Sequence, residues 1–465
     1  MAEDVQEAEI REGSVLRVSW KPGGGQEVRL QNRGIGRIAG NAFAEAPSDL
    51  DCVDFRDNRI AELPAGLFAG LSMVSTLLLS RNKIGQINSA ALGGLANLRE
   101  LRLTRNKIEE IPARCFVGTP FLASLNLSYN EISQVDPEAF RGLGRLRELD
   151  LSNNNICTLS DSVFEDLASL ESLRLSCNGI SEVNARTFGN LRRLKELDLH
   201  LVRITELKER GFGNLSKLVK LTLSWGKVDT IASGAFEGLE SLEVLELNRN
   251  QLTCVPEGVF RPLVKLRKLV LCYNDITDVE TKAFQRLDNL RDLNLSRNQI
   301  AQLPDEVFVG TRSLTHLNLS WNKLSEGLNP GTFVGLKDLE ELDLSRNGIH
   351  ALQKGLFSEL GSLGKLILSN NVIADIAPGA FQGLAKLNEL KLNWNYLVTI
   401  PQGAFLGLDS LVVLNLSYNK ISQLDAGVFK GVERVRDLDL YKNRLEVLPD
   451  DVSRVLVSIE KLKIT

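Results

Sequence analysis

The chain is poor in the residues that do chemistry. Its 465 residues include three histidines, six cysteines and two methionines. No Cys-x-x-Cys occurs, and no cysteine lies near a histidine at metal-ligand spacing, so no zinc site can be drawn. Long apolar runs are missing: none approaches the roughly 20 residues that a bilayer span needs. The start, Met1-Ala-Glu-Asp-Val-Gln-Glu, is charged and has no apolar core of a secretory signal. A basic excess is missing too. Lys and Arg number 55 against 59 Asp and Glu, and the net charge of −4 argues against a general affinity for nucleic acid or an anionic membrane. Gly23-Gly-Gly25 lacks the Lys-Ser/Thr of a phosphate loop.

Repetition is what the chain has. Leu-x-x-Leu-x-Leu-x-x-Asn-x-Ile recurs along almost its whole length. The Asn stands at Asn58, Asn82, Asn106, Asn130, Asn154 and Asn178. It returns at Asn250, Asn274, Asn298 and Asn322, then at Asn347, Asn371, Asn395, Asn419 and Asn443. The step is 24 residues, with a single 25 before Asn347. Val202 and Gly226 occupy the two places where an Asn is due, and Arg33 holds the first. Phenylalanine keeps the same period from Phe43 to Phe429, with Leu92 in the one empty slot. A fixed period of this length over 18 coils means a solenoid.

Each column has a physical role. The alternating Leu-x-Leu reads as a short strand with one buried face. The Asn follows where the chain leaves the strand, and its amide can satisfy backbone groups that the turn strands inside the coil. Stacked coils would align these amides as a ladder and the Phe rings as a spine. No coil can bury its Leu and Phe alone; its neighbours do so.

The repeat, followed by Gly-Ala-Phe-x-Gly-Leu at Gly234 to Leu239 and Gly403 to Leu408, resembles the leucine-rich repeat family. Its 24-residue step with a Phe spine is similar to the typical class found in Toll-like receptor ectodomains, Slit proteins, small proteoglycans and variable lymphocyte receptors. The resemblance implies an α/β solenoid, a horseshoe or arc with parallel strands inside and irregular or short helical legs outside. It also implies a binding role.

Residues 1–32 read as a polar N-terminus and a β-hairpin cap, 33–455 as the repeat solenoid, and 456–465 as the strand of an incomplete last repeat. The hairpin is placed on Ser14 to Trp20 and Glu27 to Leu30, around the turn signal Lys21-Pro-Gly-Gly-Gly25. The last strand has an open edge, left by truncation or covered by another contact. The cysteines fall in different columns, so no disulfide is expected, which favours a reducing, intracellular location. An extracellular location would require that a signal peptide was removed. Of five Asn-x-Ser sequons, those at Asn126, Asn294, Asn318 and Asn415 lie on strands as part of the repeat framework, and the fifth is Asn214.

The residue before each ladder Asn is free of the framework and should point outward. That column collects Tyr129, Trp225, Arg249, Tyr273, Arg297, Trp321, Arg346, Trp394 and Tyr418, with Tyr396 and Tyr441 within two residues of it. Tyr and Trp pack a partner while keeping a hydrogen bond, and with Arg they are enriched at binding hot spots. These residues form the expected contact strip for a protein partner. Arg56, Arg81, Arg102 and Arg105 form a second, basic region suited to an acidic partner, or else a solvated face with local ion pairs. His200 and His316 lie five coils apart and His350 sits on a turn of the next coil, so no catalytic group assembles. The chain reads as a non-enzymatic scaffold with no cofactor, metal or nucleic acid. It is an intracellular adaptor or assembly subunit or, alternatively, a receptor ectodomain.

Overall fold

A computed structural model describes residues 8–11, 15–18, 27–40, 42–424, 427–446 and 459–464. It divides into two compact units: Met1–Lys227 with Gly234–Leu239, and Val228–Ser233 with Glu240–Thr465. Both are built from one device, a three-residue strand repeated in phase. In the first unit the strands run in parallel from Glu27–Arg29 to Lys220–Thr222. In the second they run from Val244–Glu246 to Lys461–Lys463. Equivalent residues face each other, as with Leu149 and Leu173 or Leu293 and Leu317. In strands such as Glu148–Asp150 and Asp292–Asn294 the central Leu is buried and its flanks are not, as the alternation requires, whereas Leu462 of the last strand is exposed.

The outer legs are turns and two-residue strands, such as Glu110–Ile111 paired with Gln134–Val135 and Cys254–Val255 paired with Asp278–Val279. Among the described residues no helix occurs. The Phe column stacks inside. Phe116, Phe140, Phe164, Phe188 and Phe212 lie ring on ring at 6.1 to 6.3 Å between neighbours. Phe260, Phe284 and Phe308 do the same in the second unit at 6.4 and 5.9 Å. That spacing lies within the range of offset stacking.

Among the described residues the hairpin expected on Ser14 to Trp20 and Glu27 to Leu30 is not formed. Val15–Val18 pairs antiparallel with Ala8–Arg11 and parallel with Arg37–Ile38. Glu27–Arg29 instead joins Cys52–Asp54 as the first ladder strand. Ala8-Glu-Ile-Arg11 alternates as well as the later stretch does and lies closer in sequence to Val15. The turn signal Lys21 to Gly25 and the apolar Leu456 lie outside the described residues.

The ladder asparagines share a pattern of one accepted and two donated main-chain bonds. Asn322 accepts from the Ile300 N–H at 3.1 Å and donates to the Leu295 and Leu319 carbonyls at 3.0 Å each. At Val202 and Gly226 this pattern stops. Among the described residues the Ile180 and Ile204 N–H groups and the Leu199 carbonyl then have no hydrogen-bond partner, although all three residues are buried. Such orphans cost about 1–3 kcal/mol each. Gly226→Asn restores an acceptor for Ile204 and a donor for Leu199. We expect about 1–3 kcal/mol of stabilisation, read as a higher denaturation midpoint. If partner binding is then unchanged, the gap is not a device for presenting Trp225.

The 25-residue step before Asn347 relies on a glycine. The extra residue lies between Leu324 and Leu328, where Gly327 presses on the previous coil. A Cβ there would come within 2.1 Å of the Ala301 carbonyl oxygen, so only glycine fits. All six cysteines are free thiols. Burial, with Glu27 and Asp54 adding to it, pushes the Cys52 thiol up to about 11, and burial also raises Cys115 and Cys272. Raised thiols are poor nucleophiles at neutral pH.

Candidate binding face

The contact column is built by a backbone feature that the residue pattern did not announce. In every coil the residue before the ladder position adopts φ between 54° and 59°, the left-handed region. Two bonds hold it there. Its N–H reaches the carbonyl of the next coil, as Trp321 reaches Ser345 at 2.9 Å and Arg297 reaches Ser320 at 2.8 Å. Ahead of it, the last strand residue folds back on the turn. Asn318 Oδ1 accepts the Ser320 N–H at 2.9 Å and its hydroxyl at 2.7 Å. Asn126, Asn294 and Asn415 do the same with Ser128, Ser296 and Ser417. The strand sequons are therefore turn locks. Asn214 differs: it is exposed on an outer turn.

The left-handed turn aims the side chain out of the sheet. Tyr129, Trp225, Trp321 and Trp394 are 41 to 51% exposed. Across all 18 coils the position never holds Val, Ile or Thr, which are the residues that the left-handed region excludes most strongly. Trp321→Val is therefore expected to destabilise by about 1–3 kcal/mol, and Trp321→Gly to leave stability unchanged or slightly higher in denaturant titrations.

In the second unit these side chains interleave. The Arg249 guanidinium lies 4.0 Å from the Tyr273 ring centre. Arg297 lies between Tyr273 and Trp321, at 4.8 and 4.2 Å, and Arg346 lies 4.2 Å from Trp321. After Asn370 a second cluster begins. Trp394 stacks on Tyr418 at 4.0 Å with planes 8° apart, and Tyr418 meets Tyr441 edge-on at 5.7 Å. Lys420 covers Tyr396 at 4.0 Å and Lys442 approaches Tyr441 at 5.2 Å. Lys442 stands in the column before the ladder Asn, whereas the sequence argument did not include Lys420. The signal for Lys420 was position, since Lys420 and Tyr396 each follow a ladder Asn one coil apart.

In the first unit the strip is sparser. Arg105 lies 4.5 Å over Tyr129, and His200 meets Trp225 edge-on while its Nδ1 sits 3.0 Å from the Ser224 hydroxyl. The other basic residues hold carboxylates of their own chain. Arg56 binds Asp54 at 2.7 Å, Arg81 lies 3.4 Å from Asp57, and Arg102 pairs with Glu100. The side-chain bond to Asp54 raises the Arg56 guanidinium above its ordinary value.

The paired carboxylates of the strands serve the turns. Asp150, Asp198 and Asp343 each accept a backbone N–H two residues on, at 2.9, 3.0 and 2.9 Å, so each paired carboxylate is committed to its turn. Among the described residues no group of three His, Cys, Asp or Glu is placed to hold a metal, and no helix is long and apolar enough to cross a membrane.

The fold and the outward column define a parallel-strand repeat scaffold that presents side chains for binding. The leucine rich repeat model matches the chain in overlapping segments from residue 48 to residue 465, and a second leucine rich repeat model matches 313–336. The chain belongs to the leucine-rich repeat family. No curated protein matches it. Among solved structures it is similar to Toll in the Drosophila Toll–Spatzle complex, with 25% identity and a TM-score of 0.76 over 86% of this chain and 54% of that one. A Leptospira interrogans leucine-rich repeat protein gives 25% identity and a TM-score of 0.66, over 89% of this chain and 95% of that one. A TLR13–ssRNA13 complex gives 26% identity and a TM-score of 0.51, over 94% of this chain and 80% of that one.

Proposed function

We propose that the chain is a non-enzymatic scaffold that binds a protein partner across its strand face, as an intracellular adaptor or a subunit of a larger assembly. The residues at the left-handed position carry this reading. The turn asks only for tolerance of φ near 57°, which Asn32, Asp57, Asn153 and Asn370 meet at little cost. Trp225, Trp321, Trp394, Tyr129, Tyr273 and Tyr418 meet it under strain and leave large rings in water. The fold gains little from that choice, whereas a binding face gains its anchors. Free thiols and the Asn–Ser turn locks support a reducing compartment.

The second reading, a ligand-recognition ectodomain, rests on the likeness to Toll in its complex with Spatzle. Mass spectrometry of the native protein separates the two. N-glycans and disulfides support the ectodomain, and bare asparagines with free thiols support the adaptor. The binding face itself is tested by a pull-down with wild type and with Trp321→Ala plus Trp394→Ala. Loss of the wild-type partner is expected, and equal recovery by both would remove the strand face from the account.

A further inference from the structure

Arg297 and Arg346 differ from Arg56, Arg81 and Arg102 in what they hold. Arg56, Arg81 and Arg102 are paired with carboxylates of this chain. Arg297 and Arg346 lie against rings, and among the described residues neither guanidinium has a carboxylate or a carbonyl partner. Carboxylates are not lacking nearby, but others hold them. Lys268 takes Asp292 at 3.3 Å, Lys365 takes Glu341 at 2.9 Å, Lys391 takes Glu389 at 2.7 Å, and Asp343 accepts the Ser345 N–H. The lysines thus neutralise the strands, and two arginines keep their charge.

Ring contact also sets what those arginines can do. A guanidinium held over a ring has N–H groups left to bond a partner. Held between Tyr273 and Trp321, the Arg297 plane has little freedom left to lose on binding. It is a prepared bidentate donor for a carboxylate. The spacing follows from the sheet. Coils repeat at about 4.8 Å, so arginines two coils apart stand roughly 10 Å apart. In an α-helix, residues seven apart are about 10.5 Å apart on one side of the helix. An extended strand offers same-face residues at about 6.8 or 13.6 Å, which fits less well.

We propose that Arg297 and Arg346, framed by Tyr273 and Trp321, receive an acidic helix of a protein partner that carries carboxylates at seven-residue spacing. This deepens the strand-face reading and rests on it.

The test uses the full chain and three fluorescent probes: an alanine-rich helical peptide of about three heptads with one glutamate per heptad, the same peptide with glutamine, and a single-stranded RNA oligonucleotide. The glutamate peptide is expected to bind at least tenfold more tightly than the glutamine peptide, with affinity falling as salt rises. Arg297→Gln plus Arg346→Gln should remove that preference while the circular dichroism spectrum and denaturation midpoint stay unchanged. Equal binding of the two peptides, no binding by either, or tighter binding of the RNA would overturn the proposal. The tryptophan pull-down is independent of these probes. If it loses the partner while the glutamate peptide shows no advantage, the face stands and the acidic-helix assignment falls.

Discussion

Phe308→Ala is expected to cost about 3–5 kcal/mol, among the largest effects of any single substitution in the chain. The side chain is fully buried, and its ring lies 5.9 Å from that of Phe284 with planes 9° apart. Truncation leaves a cavity that the neighbouring coils cannot close without moving their strands. A repeat array is stabilised by nearest neighbours, so the damage should be local. Hydrogen exchange should show the amides of the adjoining coils opening first, while those around Asn395 stay protected. Trp321→Ala is the internal control. With its side chain outside, it should cost well under half as much. Equal costs would mean that the two columns had been assigned to the wrong sides.

The second large effect is expected at the ladder. Asn298 accepts from the Ile276 N–H at 3.2 Å and donates to the Leu271 and Leu295 carbonyls at 3.0 and 2.9 Å. In Asn298→Ala those carbonyls retain bonds from Asn274 and Asn322, but the buried Ile276 N–H retains none. The expected loss is about 2–3 kcal/mol, measured by denaturant unfolding. Asn298→Asp should be worse at neutral pH, because it turns a carboxylate towards two carbonyl oxygens. Its folded-state pKa is raised, so the lost stability should return as pH falls and be lost again as it rises.

The columns that became strands, spine and ladder were legible because their meaning depends only on period. A Leu at every second residue and a Phe at every twenty-fourth can be sorted without coordinates, and Phe308 and Trp321 lie on the sides this sorting gives them. The left-handed turn was not legible in the same way, because its column mixes Arg, Trp, Asn and Leu. The available signal was negative, the absence of Val, Ile and Thr from eighteen positions. The interleaving of Arg249, Tyr273, Arg297, Trp321 and Arg346 was half legible. The repeat places these residues side by side, but whether an arginine turns to a ring or to a carboxylate depends on which lysine has already taken the carboxylate. The N-terminal pairing was missed because two alternating stretches compete for Val15–Val18, and a strand pattern does not choose its partner.

The account rests on coils stacked in phase, with each ladder amide serving its own coil and the one before. Residue-resolved hydrogen exchange reads this directly. Ile156 and Ile276 donate to Asn178 and Asn298, whereas Ile180 and Ile204 face Val202 and Gly226 and have no such acceptor. The expected result is slow exchange at Ile156 and Ile276 and exchange at least tenfold faster at Ile180 and Ile204, with Ile204 slowed in Gly226→Asn. Uniform protection at all four, unaltered by that substitution, would contradict the ladder and the stacking inferred from it.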